Sequence, residues 1–76
     1  MRLKRDINIH QFLKKVNECR GEVFFHTVEG DHLNLKSKLT SYIFITLIDA
    51  PEVLYSSAVE CQLEEDYRLL EAFTEQ

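Results

Sequence analysis

Between Ile9 and Val16 the apolar residues fall at Ile9, Phe12, Leu13 and Val16, the i, i+3, i+4, i+7 spacing of one helix face. Directly after Gly21 the pattern changes to Val23-Phe24-Phe25-His26-Thr27-Val28, dense in β-branched and aromatic residues. This switch from a helical period to strand composition constrains the chain most. It requires a helix packed against a sheet, and therefore an α+β domain. Asn8 is the expected N-cap of the helix, with Gln11 three residues on and Ile7 and Phe12 at the positions of a hydrophobic staple. Gly21 is the expected stop, in a left-handed conformation.

Glu29-Gly30-Asp31 is a turn signal, so Val23–Val28 and His32–Leu35 read as a β-hairpin in which Leu33 and Leu35 share one face and His32 and Asn34 the other. Ser37 to Ile48 is ambiguous. Its Tyr42-Ile43-Phe44-Ile45-Thr46 stretch has strand composition, whereas its length and its Leu39-Ile43-Leu47 spacing suit a helix, with Ser37 as N-cap and Asp49-Ala50-Pro51 as terminator. A helix is the expectation. Val53, Tyr55, Ser57 and Val59 alternate with their neighbours as a strand would, and Gln62–Thr74 carries Leu63, Tyr67, Leu70 and Phe73 or Thr74 on one face of an amphipathic helix.

Seventy-six residues suit one domain, 1–76, with little apolar surface left over for a deep substrate pocket, and no small-molecule substrate or cofactor is expected. The longest apolar run, Tyr42 to Ile48, falls far short of the roughly 20 residues of a membrane span. The basic start Met1-Arg2-Leu3-Lys4-Arg5 is followed by residues too polar for a signal peptide, so a cytoplasmic location without membrane contact is expected. Cys19 and Cys61 lack partners at metal-like spacing and read as reduced, buried thiols. Net charge is −4, with five of nine cations in Arg2–Lys15 and six carboxylates in Glu60–Glu75. Nucleic-acid binding through Arg2, Lys4, Arg5, Lys14 and Lys15 is the weakest of the functional classes on that balance, and none is expected.

The order helix, hairpin, helix, strand, helix, together with Leu33-Asn34-Leu35-Lys36-Ser37 at the hairpin-to-helix junction, resembles HPr, the small phosphocarrier of the bacterial sugar phosphotransferase system. The similarity runs from about Phe12 to Phe73. The resemblance implies an HPr-like open-faced sandwich, an antiparallel sheet of three or four strands covered on one face by three helices. The first strand would come from Met1 to Ile7, a short and charged segment in which an edge strand is stunted or absent. Its most specific part is the N-x-K-S stretch from Asn34 to Ser37, which in Gram-positive HPr proteins carries the serine phosphorylated by a regulatory kinase.

The family's phosphohistidine lies in a G-[IL]-H-A-R-P motif, where this chain has Ile7-Asn8-Ile9-His10-Gln11-Phe12. His10 lacks the following Arg and Pro. The resemblance therefore implies an HPr-like fold without enzymatic or phosphocarrier activity; the alternative is a divergent phosphocarrier that accepts phosphate on His10, with cationic support from Lys14 or from Arg2 and Arg5.

Ser37 is a candidate regulatory phosphorylation site, since a phosphate at a helix N-terminus meets free N–H groups and the positive dipole end, or else a plain N-cap. His26 and His32 face each other across the hairpin, but two imidazoles without a third ligand make a poor metal site; cross-strand packing and no bound metal are the expectation. The second helix is apolar almost all round, and Leu39, Tyr42, Phe44 and Ile45 are the expected interface for a protein partner or homodimer.

Overall fold

The structure, a computed structural model, describes residues 1–75. Helix α1 spans Ile9–Glu18, and the Asn8 side chain accepts the Gln11 N–H at 3.1 Å, as expected of its N-cap. Ile9, Phe12 and Val16 are buried and Leu13 packs against them. The helix ends through Cys19, which is extended. Gly21 does not adopt the left-handed conformation expected of it; among the glycines only Gly30 has a positive φ, 95°, in the hairpin turn. Gly21 is required for space instead, because a Cβ there would lie 2.7 Å from Leu63 Cγ.

Strands β2 (Val23–His26) and β3 (His32–Asn34) form the hairpin, closed where Thr27 donates its N–H to the Asp31 carbonyl at 2.9 Å. Strand β4 (Ala58–Cys61) joins the other edge of β2, giving the antiparallel order β3-β2-β4. The register places Phe25, Leu33 and Val59 side by side on the inner face, while Phe24, Asn34 and Glu60 share the outer one. Inner positions are buried and outer ones half-buried or exposed along both β2 and β4.

The N-terminal strand forms but is stunted, two residues long, and lies in a separate two-stranded sheet. Strand β1 (Arg2–Leu3) pairs with β5 (Thr74–Glu75), and Met1 accepts the Val59 N–H at 2.6 Å, which ties this pair to β4.

Two expectations of secondary structure also need correction. The residues from Val53 to Ser57 are not strand: helix α3 (Pro51–Leu54) takes the first of them, with Pro51 at its start, where a fixed φ and a missing N–H are tolerated. Ser57 then bonds back to the Val53 carbonyl at 2.6 Å, and pairing begins only at Ala58. Apolar residues stand at both parities here, so alternation carried no real contrast. The last helix is also not continuous. A 3-10 turn (Glu64–Asp66), helix α4 (Tyr67–Leu70) and a second 3-10 turn (Glu71–Phe73) follow one another, and Thr74 leaves the helical path to pair with Leu3.

Helix α2 (Lys38–Thr46) continues into a 3-10 turn (Leu47–Asp49), which settles the ambiguous segment as helical. Its inward residue is Phe44, wholly buried in ring contact with Phe25 at 4.9 Å and Phe12 at 5.8 Å; Phe12 in turn meets Phe73 at 5.9 Å. Phe44 is therefore a core residue and not part of an interface. The Leu39-Ile43-Leu47 stripe points elsewhere: Leu47 is half-buried, but Leu39 is 74% and Ile43 50% exposed. No helix among the described residues is long and apolar enough to cross a membrane.

Candidate functional site

The rotation of α2 is fixed at the β3–α2 junction. Asn34 accepts the Lys36 N–H on its side chain and the Ser37 N–H on its carbonyl, both at 3.0 Å, and donates its amide to Glu22 at 2.8 Å. The Lys36 ammonium bonds the Cys19 carbonyl at the end of α1. Ser37 Oγ accepts the Thr40 N–H at 3.5 Å, a long cap, and the Ser37 carbonyl accepts the Ser41 N–H at 2.9 Å. Three of the residues that carry the N-x-K-S resemblance thus have structural tasks: a turn, a strut to α1 and a helix cap. Ser37 is half-buried beside a recess of about 260 Å³ lined by Leu13, Asn17, Lys36, Lys38 and Ser41 among others.

With Phe44 turned inward, α2 presents Leu39, Tyr42 and Ile43 outward, at i, i+3 and i+4, with Tyr42 62% exposed. Ile48, 45% exposed, follows in the 3-10 turn. No acidic or basic residue occurs from Leu39 to Ile48. Of the expected interface residues, Leu39 and Tyr42 lie on this face, Ile45 is half-buried, and Phe44 lies in the core. Ile43, not among the expected interface residues although it shares the Leu39-Ile43-Leu47 spacing that marked the segment as helical, completes the face.

His10 is exposed at the second residue of α1, with Asn8 holding the cap position. Of the basic residues near it in sequence, Arg5 lies over the Tyr55 ring at 5.1 Å and Lys15 pairs with Glu18 at 3.5 Å. Those two cations are engaged within the fold.

On the outer face of the sheet, His26 meets His32 through their Nδ1 atoms, and His26 Nε2 meets Glu60 Oε1 at 2.8 Å. The rings are 4.5 Å apart at 73°, and Phe24 stacks on His26 at 6.3 Å. Cross-strand packing is as expected; Glu60, brought in from β4, was not foreseen, because nothing in the local sequence set the pairing register of β4 against β2. Among the described residues no group of three or more His, Cys, Asp or Glu is arranged to hold a metal ion.

Beneath the sheet's end, the buried Asp66 carboxylate accepts the N–H groups of Arg20 at 3.0 Å and Gly21 at 2.8 Å. These bonds hold Asp66 below the ordinary carboxylate range, aided by the charges of Lys36 and Arg20. Nearby, burial raises the Cys19 thiol, and burial with the Cys19 sulfur pushes Cys61 up to about 11. Both cysteines are free and buried, so they are protonated and poorly nucleophilic at neutral pH. Asp66 was missed as a site residue although Asp66, Leu70 and Thr74 fall at i, i+4 and i+8; the signal was hidden in the Glu64-Glu65-Asp66 charge run. Among the described residues every buried side-chain polar atom has a hydrogen-bond partner. No family model, curated protein or solved structure matches the chain.

Proposed function

We propose that the chain is an HPr-like protein-binding or regulatory module whose outer α2 face docks against protein, in the first instance against a second copy of itself. The observation that carries this reading is the uncharged row of Leu39, Tyr42 and Ile43, exposed on a helix whose inward residue, Phe44, is wholly buried in the core. Contiguous exposed apolar residues of this kind mark interaction surfaces. A two-fold axis sets identical patches against each other, and a charge-free patch is self-complementary even when each copy carries a net charge of −4. The HPr-like part rests on the antiparallel β3-β2-β4 sheet buried on one face, on β1 joined to it through Met1, and on the N-x-K-S junction. The test is sedimentation of the wild type beside Leu39→Lys and Ile43→Lys. A concentration-dependent dimer that both changes abolish is expected, and a wild type that stays monomeric at high concentration removes self-association.

One observation favours a second reading, phosphate acceptance at His10: its imidazole is exposed near the start of α1. Incubation with phosphoenolpyruvate and the general phosphotransferase component decides it. The binding-module reading expects no acid-labile phosphate; label on the wild type that His10→Ala removes would establish a phosphocarrier.

A further inference from the structure

The two edges of the β3-β2-β4 sheet differ. On the β4 side the Met1 carbonyl accepts the Val59 N–H, so that edge is covered. On the β3 side no strand among the described residues pairs with it. The hairpin ladder fixes which β3 groups face outward. Thr27 donates its N–H to the Asp31 carbonyl and Leu35 donates to that of Val23, so Val23/Leu35, Phe25/Leu33 and Thr27/Asp31 are the hydrogen-bonded pairs. His32 and Asn34 occupy the alternate positions, and their N–H and C=O groups therefore point away from β2. Of these, the Asn34 carbonyl already accepts the Ser37 N–H at 3.0 Å and keeps a second lone pair.

The charges along this edge are ordered end to end. Glu29 and Asp31 precede the strand, both exposed, and Lys36 and Lys38 follow it, the first half-buried and the second exposed. Two such edges laid antiparallel set each acidic end against the other's basic end, whereas a parallel pairing sets like charges together.

We propose that the free edge of β3 pairs antiparallel with β3 of a second copy, about a two-fold axis at Leu33, so that two sheets become one. His32 exchanges both backbone bonds with the partner's Asn34, and Asn34 with the partner's His32, so each outward N–H of the strand gains an acceptor. The interface is isologous. A three-residue edge is too short to hold two copies alone, so the pairing rests on the reading that the outer α2 face self-associates, and gives that association its register. Helix α2 packs against β3, and Phe44 points from it towards β2 and α1. Leu39 and Tyr42, on the opposite side of the helix, face away from both, where the partner's α2 arrives beside the seam.

The test measures amide hydrogen exchange of the full chain at concentrations below and above dimer formation, beside sedimentation of variants. The His32 and Asn34 amides should exchange at least about 10-fold more slowly in the dimer. His32→Pro deletes an outward N–H without touching the β2 ladder and should weaken the dimer at least about 10-fold, because symmetry removes the bond twice. Glu29→Lys and Lys38→Glu should each weaken it about 3-fold, and the two together should recover it. Circular dichroism verifies that each variant folds. A dimer lost in Ile43→Lys whose His32 and Asn34 amides exchange as in the monomer would overturn the edge pairing and leave the α2 reading standing. Edge protection that survives Leu39→Lys and Ile43→Lys would support the pairing and remove the α2 reading instead. A wild type that stays monomeric removes both, and a charge-swapped double variant that fails to recover overturns the antiparallel register.

Discussion

Helices α1 and α2 are of similar length and lie against the same core, yet they use their apolar residues in opposite ways. Helix α1 alternates a buried stripe of Ile9, Phe12 and Val16 with His10, Gln11, Lys14 and Asn17 on the outside. Helix α2 is richer in apolar residues and buries only Phe44 completely. Polar residues are what tell a helix which way to face: where they interrupt the pattern the inside is specified, and where they are missing several rotations bury comparable area. In α2 the choice passes to the junction, where Asn34, Lys36 and Ser37 fix how the helix leaves β3. The apolar residues this rotation leaves outside are the feature most suggestive of function.

The largest expected effect breaks this comparison if it fails. Phe44→Ala removes the ring that joins Phe12 to Phe25 and should cost about 3–5 kcal/mol in urea unfolding, whereas Tyr42→Ala, two residues earlier, should stay within about 0.5 kcal/mol. A reversed order would mean that α2 is rotated. Next, Gly21→Ala forces a methyl group against Leu63 and should cost about 1–3 kcal/mol; Leu63→Ala in the same chain should recover part of it, since the clash is with that side chain alone among hydrophobic neighbours.

Acid should act on the end of α1. Asp66 has a folded pKa below its unfolded one, so its stabilisation is complete above the unfolded value of about 4 and is lost as pH falls through the folded value. Asp66→Asn should therefore be less stable than wild type at neutral pH, with a difference that shrinks below about pH 4 in denaturant titrations. A difference independent of pH would show that the carboxylate charge plays no part. The smallest effect on folding belongs to Leu39→Lys and Ile43→Lys. Exposed as they are, these changes should shift the unfolding midpoint little, so that any lost association is not a lost fold.

How much of this was readable in the sequence varies element by element for physical reasons. Helix α1, the hairpin and the Ser37 cap were readable because each depends on neighbours within a few residues: Asn8 on Gln11, Gly30 between two strands, Ser37 beside Thr40. The segment after Pro51 was misread because apolar residues at both parities fit a strand and a helical turn equally, and the Ser57 bond to Val53 decided it. Gly21 was identified as a stop for the wrong reason, since Leu63, far along the chain, sets its need for space. The candidate surfaces follow the same division. Leu39 and Tyr42 were found and Phe44 misplaced because rotation is a tertiary property, and the His26–His32 pairing was foreseen from the hairpin whereas Glu60 required the register of β4.

The central claim is that the outer face of α2 is a docking surface. A dilution series of the wild-type chain followed by backbone amide NMR tests it residue by residue. The account predicts concentration-dependent shifts centred on Leu39, Tyr42 and Ile43, absent in Ile43→Lys. Spectra that do not change with concentration, or changes centred on the outer sheet face around His26 and Glu60, would contradict it.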